Sequence, residues 1–297
     1  MNLFIGTAGF SYKDWEGIVY PKDLKKRKIH PLEYLAQFID CCEINTSFYG
    51  HIRPAIGKSW CQKAAAVNPA FQFTAKLFQG FTHVARGTKA ASPFKLAVSQ
   101  EDEKLAREGL DSIAQEGRLG AVLVQFPVSF KNADDTRDYL FDLVKRFKAY
   151  PLVLEIRHES WNDPDILGRL AEEGVGFCNI DQPRLGKSIR GTEHVTAPVG
   201  YVRLHGRNYK EWFQADNRND RYNYLYKPKE LEGWKDKIAD IARRADKTFA
   251  VANNHYKGQA AVNALELKSM LGHTKVKAPA PLVDHYPEQL KNIADPI

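Results

Sequence analysis

Eight short apolar runs, most of them separated by amphipathic segments, constrain the fold of this chain more than any other feature. They are Leu3–Gly6, Cys42–Asn45, Phe71–Ala75, Ala121–Gln125, Leu152–Arg157, Val175–Ile180, Tyr201–Leu204 and Phe249–Asn253. Continuous apolar runs bounded by turn residues suit parallel strands covered by helices on both faces, rather than half-exposed alternating strands. The intervening segments carry helical signals. Leu32, Leu35, Ala36 and Ile39 recur at helical spacing behind Pro31, and Leu140, Leu143, Val144 and Phe147 repeat the pattern. Asp163-Pro164 reads as an N-cap followed by a first-turn proline, with Ile166, Leu167, Leu170 and Ala171 as the stripe and Gly174 as the stop. Leu231, Trp234, Ile238 and Ile241 form another stripe, and Ala261, Ala264, Leu265 and Lys268 the last. Residues 182–198 are rich in Gly, Pro and charge, so the sixth crossover is expected to be irregular.

A chain of 297 residues allows two ordinary domains or one large one. Eight strand–helix units favour a single (β/α)8 TIM-type barrel over residues 1–297, with residues 275–297 as a tail packing on it. The competing architecture is an open doubly wound sheet, but Gly6-Thr7-Ala8-Gly9 lacks the third glycine of a dinucleotide-binding turn. No internal repeat or linker argues for a second domain. No run approaches 18 apolar residues, which excludes a spanning helix, and the N-terminus lacks the basic region and cleavage site of a signal peptide. Cys41, Cys42, Cys61 and Cys178 form no C-x-x-C pair, so a reducing cytoplasm is the expected location. The formal charge of +7 includes the dense basic stretch Lys22–Lys28, which reads first as a solvated loop and second as a nucleic-acid footprint.

Chemistry in such a barrel lies at the C-terminal ends of the strands, so unusual polar residues should follow each run. They do: Thr7 and Tyr12; Glu43, Asn45 and Tyr49; Lys76 and His83; Gln125; Glu155, Arg157, His158 and Trp161; Asp181; Arg203 and His205; Asn253 and Asn254. Strand alternation gives Glu43 and Asn45 one direction, as it does Glu155 with Arg157 and Arg203 with His205. A charge inside an apolar strand is costly unless paired or facing a polar cavity. Glu43, Glu155, Arg157 and Arg203 are therefore expected to bridge one another at the barrel mouth, to line a ligand site, or both.

These residues fall in motifs that resemble the YecE-like proteins, the domain-of-unknown-function 72 family. The resemblance rests on Gly6-Thr7-Ala8-Gly9-Phe10-Ser11-Tyr12 with Trp15-Glu16-Gly17 and Tyr20-Pro21, and on Glu43-Ile44-Asn45 with Phe48-Tyr49. It continues through Phe71, Phe73, Lys76, Thr82-His83, Leu123, Gln125-Phe126-Pro127 and Glu155, Arg157-His158, Trp161. Tyr201, Arg203, His205-Gly206 and Asn253-Asn254 with Gly258 complete it. Val128 departs from the pattern, where a second proline would follow Pro127. The resemblance implies a TIM-type barrel and brings no established reaction.

From the residues themselves, Glu43, Glu155, His158 and His205 are the candidate proton-transfer groups. Lys76, Arg157 and Arg203 are candidates to hold a carboxylate or phosphate. Thr7, Asn45, His83, Gln125, Asp181, Asn253 and Asn254 would contact polar groups of a sugar-, nucleotide- or phosphate-like ligand. Tyr12, Trp15, Phe48, Tyr49 and Trp161 would wall it. Lys76 has a second reading as a Schiff-base nucleophile. His83, His158, His205 and His255 with Glu43, Glu155 and Asp181 supply donors enough for a divalent metal. No H-x-H or H-E-x-x-H spacing is present, however, and the two arginines would repel a cation, so no metal ligand is assigned. Nucleotide-cofactor and serine-hydrolase motifs are absent. The expectation is an enzyme acting by acid–base chemistry on a small anionic substrate. The alternatives are a nucleic-acid-binding or processing protein and a metal-dependent phosphoester hydrolase.

Overall fold

The computed structural model describes residues 2–83, 98–183, 185–209 and 218–297. Eight parallel strands follow one another around a closed barrel: β1 (Leu3–Ala8), β2 (Cys41–Ile44), β3 (Gln72–Lys76), β4 (Leu119–Gln125), β5 (Leu152–Glu155), β6 (Gly176–Asp181), β7 (Val199–Leu204) and β8 (Lys247–Ala252). Closure is made by β8, whose Thr248 to Ala252 pair with Leu3 to Thr7 of β1. That pairing removes the doubly wound alternative, which needs two free sheet edges. Each apolar run coincides with a strand to within a few residues. β7 starts earlier than its run because Val199 and Gly200 pair with Lys247 and Thr248. β5 ends at Glu155, so Arg157 lies just beyond the ladder.

Barrel interiors are filled by interlocking side chains. Phe4 and Phe249 stack inside at 5.2 Å between centroids. Gly120 of β4 leaves room for the Phe249 ring, since a Cβ there would lie 2.1 Å from the ring tip.

The outer helices follow their local signals. Asp163 caps the helix Pro164–Glu172 by accepting from the backbone N–H groups of Asp165 (3.0 Å) and Ile166 (3.3 Å), with Pro164 at the first position. Leu231, Trp234, Ile238 and Ile241 are the buried stripe of the helix Pro228–Arg244. The first crossover departs from expectation: its helix spans only Pro31–Leu35, and Ile39 finishes the stripe in a following turn. Among the described residues 182–198 hold no helix, as the composition implied. Asn179 of β6 pins this segment instead. Its Nδ2 donates to the His194 carbonyl (2.9 Å), and its Oδ1 accepts from Thr192 Oγ1 (2.8 Å) and the His194 N–H (2.7 Å).

Residues 275–297 pair Val276–Ala278 with Ala294–Pro296 and place two short helices between them. This unit lies against the helix Gln259–Gly272, with Leu282 and Leu290 buried and the Tyr286 hydroxyl donating to the Lys257 carbonyl (2.9 Å). Among the described residues no helix is long and apolar enough to cross a membrane.

Candidate active site at the barrel mouth

Strand alternation brings Glu43, Glu155, Arg157, Arg203 and His205 into one buried network. Arg203 sits at its centre with no exposed surface. Its Nη2 donates to Glu43 Oε1 (2.7 Å), and its Nη1 donates to Glu155 Oε2 and to Gln125 Oε1 (3.3 Å). Glu155 Oε1 also accepts from Arg157 Nε (2.9 Å) and faces Arg157 Nη2 at 2.8 Å. Two residues to which the sequence assigns no site role complete the layer. The Tyr201 hydroxyl donates to Glu43 Oε2 (2.9 Å) and lies 2.7 Å from Thr74 Oγ1. Burial raises the Glu155 carboxyl, but Arg203 and then Arg157 outweigh it and hold Glu155 well below the usual carboxylate range.

Formally the two glutamates balance the two arginines, and Lys76 is the surplus charge. It stands at the end of β3 with its ammonium 5.4 Å from the centroid of the Phe48 ring. Among the described residues no carboxylate lies within ion-pair distance of it. Burial, then the positive charge of Arg203, lowers the Lys76 amine to about 7, against the pull of Glu43 and Glu155. His83 meets the same Phe48 edge-on at 5.0 Å, and its Nδ1 lies 2.9 Å from Thr82 Oγ1. Burial, then Arg157 and Lys76, lowers His83 to about 4. Lys76, His83 and Arg157 therefore crowd one sector of the mouth.

His205 is neutral at physiological pH, because burial and Arg203 outweigh Glu155 and bring it to about 3. Asn253 Nδ2 donates to His205 Nδ1 (2.9 Å), so in this orientation of the amide the ring proton sits on Nε2. That Nε2 lies 3.3 Å from Glu155 Oε1 but off the line of a hydrogen bond, leaving its N–H unsatisfied. Across the mouth Tyr12 stacks on His255 at 4.3 Å, donates to the Ala8 carbonyl and accepts from Asn45 Nδ2 at 3.5 Å. Buried polar atoms without a partner gather here: Asn45 Oδ1, Arg203 Nε, His205 Nε2 and His255 Nδ1. Orphaned buried polar atoms are rare and costly, and a bound ligand or ordered water would satisfy those within its reach.

Several candidate residues go elsewhere. Arg203 cannot hold an external anion, since its guanidinium is enclosed by two carboxylates; Arg157, with 18% of its side chain exposed, can. His158 is not joined to the network: its Nδ1 faces Ser160, capping a short turn, and its charged neighbours are Lys131, Glu159 and Lys187. Trp161 is core rather than ligand wall. It is fully buried, stacks on Phe130 at 5.0 Å and donates to the Phe130 carbonyl (2.8 Å). Trp15 is likewise buried and donates to the His255 carbonyl (2.6 Å). Thr7 Oγ1 donates to the Gly9 carbonyl (2.9 Å), closing a turn. Asn254 points opposite to Asn253, donating to the Tyr224 carbonyl and Asn263 Oδ1, each at 2.7 Å. Tyr49 is exposed beside Phe48.

Asp181 faces outward from β6 into a separate cavity of about 700 Å³, where Arg207 holds it through Nε (2.8 Å) and Nη2 (3.1 Å). Arg207 also reaches Glu230 (2.9 Å), a pairing that sequence reasoning missed because nothing local marks it. Gly206 permits the turn into this loop with φ +87°, and a Cβ there would lie 2.8 Å from Tyr224. Among the described residues no three His, Cys, Asp or Glu side chains converge as metal ligands. In the Lys22–Lys28 stretch, Lys25 pairs with Glu16 (3.2 Å) and Arg27 with Asp23 (2.8 Å).

Residues 4–285 match the family described as protein of unknown function DUF72. The UPF0759 protein YunF of Bacillus subtilis (strain 168) is 28% identical over 283 residues, which cover 91% of this chain and 94% of that protein. The crystal structure of a DUF72 family protein from Thermotoga maritima MSB8 is 32% identical, covering 92% of this chain and all of that one, with a TM-score of 0.76. A DUF72 family protein from Enterococcus faecalis V583 shares the fold at 24% identity and a TM-score of 0.75, over 91% of this chain and 95% of its own. Matched over nearly its whole length and carrying the motifs of its strand ends, the chain belongs to the DUF72 family.

Proposed function

We propose that the barrel mouth binds a small anionic molecule and acts on it by acid–base chemistry, with Lys76 as the titrating group. The observation that carries this reading is the surplus amine. Glu43 and Glu155 are occupied by Arg203 and Arg157, so Lys76 lacks a counter-charge. An anionic ligand would supply one. The exposed edge of Arg157 offers a fork for a carboxylate or phosphate, and Lys76 adds a point charge beside it. Gln125, Asn45 and the Nε2–H of His205 offer hydrogen bonds to neutral oxygens.

The division of roles differs from the one expected of the sequence. Glu155 is held ionised by its arginines and is a poor proton carrier near neutrality. His205, held neutral, is better suited to donate a hydrogen bond from Nε2 than to accept a proton. Lys76, near pH 7, can exchange a proton in either direction. The test is proton exchange in heavy water, followed by NMR, over a panel of 2-oxo acids, hydroxy acids and sugar phosphates. The expected result is loss of a C–H signal next to a carbonyl in at least one anionic compound, abolished by Lys76→Met. Exchange that persists undiminished in Lys76→Met would refute the assignment.

A further inference from the structure

We propose that the side-chain nitrogen of Lys76 condenses with a small carbonyl compound that carries a carboxylate or phosphate group, forming a protonated imine while Arg157 holds the anionic end. The inference rests on the anion-site reading above and extends it to the substrate class. Its basis is the setting of one nitrogen atom. A lysine nitrogen is made nucleophilic by a neighbouring cation, provided that no carboxylate partner holds its proton. Lys76 meets both conditions, and its side chain is partly exposed, open to a ligand. Its nitrogen lies over the Phe48 ring, no carboxylate is within ion-pair distance among the described residues, and Arg203 and Arg157 are its cationic neighbours. The groups facing it come from four strand ends: Glu43 from β2, Glu155 and Arg157 from β5, Arg203 from β7, and His83 from the loop after β3. The lowered value of the amine agrees with that setting.

The step balances without a further reactant. The lone pair of the neutral amine attacks the carbonyl carbon, forming the C–N bond, and the carbonyl π pair moves to oxygen. Proton transfer from nitrogen to oxygen gives the carbinolamine. A second proton, taken from solvent, lets the hydroxyl leave as water and the nitrogen lone pair form the C=N bond. Overall, one lysine ammonium and one carbonyl give one protonated imine and one water. Glu43 and Glu155 lie near enough to act on the charge at this nitrogen and favour the cationic product.

Reductive trapping tests the proposal. The intact chain is incubated separately with pyruvate, dihydroxyacetone phosphate and neutral acetone in the presence of cyanoborohydride, and reduced adducts are mapped by peptide mass. Lys76 is expected to be labelled by an anionic carbonyl at least roughly tenfold faster than by acetone, and than the solvent-facing Lys25 is labelled, the factor a charge-assisted contact supplies. Preference for pyruvate or for the phosphate ester identifies the anionic group. Lys76→Arg, which keeps the charge, should abolish the adduct, and Arg157→Ala should bring the anionic and neutral rates together. Labelling of Lys76 no faster than of Lys25 would overturn the proposal. Sulfate binding measured alongside separates the two claims. Sulfate bound without trapping removes the imine and leaves the anion site, whereas neither bound nor trapped removes both.

Discussion

Arg203 joins two carboxylates inside the barrel, and replacing it with methionine isolates the energetic role of that junction. In Arg203→Met, Glu155 keeps Arg157 at 2.8 Å, so Glu43 is the stranded group, with the Tyr201 hydroxyl at 2.9 Å as its remaining donor. Removing one member of a buried ion pair costs about 3–5 kcal/mol, because an uncompensated charge is left behind. A domain stable by about 5–15 kcal/mol would survive that loss with a much reduced margin. Adding Glu43→Gln should recover more than half of it. The pH dependence has a definite sign. In the parent the Glu155 value is depressed, so its contribution is complete above the ordinary carboxylate range and lost only in strong acid. Urea unfolding of the parent, Arg203→Met and the double variant at neutral pH, followed by circular dichroism, measures the deficit. A deficit below about 1 kcal/mol at neutral pH, or one that Glu43→Gln leaves undiminished, would contradict this role of Arg203.

Three further outcomes follow from the same geometry. Lys76→Met should raise stability at neutral pH, since the folded state disfavours the ammonium; the gain should fade as pH climbs from about 7 toward the ordinary lysine value of 10.5, and urea midpoints across that range check it. His205, His83 and His255 are held near 3, 4 and 4, so their contribution to stability should be full above 6.5 and fall as pH drops below it; His205→Gln should flatten that slope in an acid titration of the unfolding midpoint. Trp161→Phe should keep the stack on Phe130 and lose the indole hydrogen bond, costing about 1 kcal/mol in a urea titration, and calorimetry should find anion affinity unchanged.

The barrel was legible because parallel strands buried on both faces leave continuous apolar runs, and the candidate-site end was legible because polar residues follow those runs. Alternation aligned Glu43 with Asn45, Glu155 with Arg157 and Arg203 with His205, and the cost of an unpaired charge pointed to bridging among Glu43, Glu155, Arg157 and Arg203. What it could not supply was register across the barrel. Tyr201 and Thr74 look like ordinary strand residues until β3 and β7 face each other over Glu43. Nor could it rank the two arginines: Arg203 is sealed inside β7, while Arg157 lies past the end of β5 and keeps an exposed edge. Neighbours in sequence also had to part. Asn253 and Asn254 sit on opposite sides of one backbone, and only the first faces the mouth. His158 and Trp161 follow β5 as Arg157 does, but they lie where the chain turns down into the helix Pro164–Glu172, and local capping and core packing claim them. Arg207 was missed because its partners, Asp181 and Glu230, are distant in sequence.

Calorimetric titration with sulfate, whose charge is constant between about pH 6 and 8, tests the barrel-mouth anion site most directly. One site is expected, binding more tightly at the lower pH as Lys76 gains its proton, with affinity falling by roughly tenfold or more in Arg157→Ala and in Lys76→Met. Binding that is indifferent to both substitutions, or no binding at the lower pH, would contradict it.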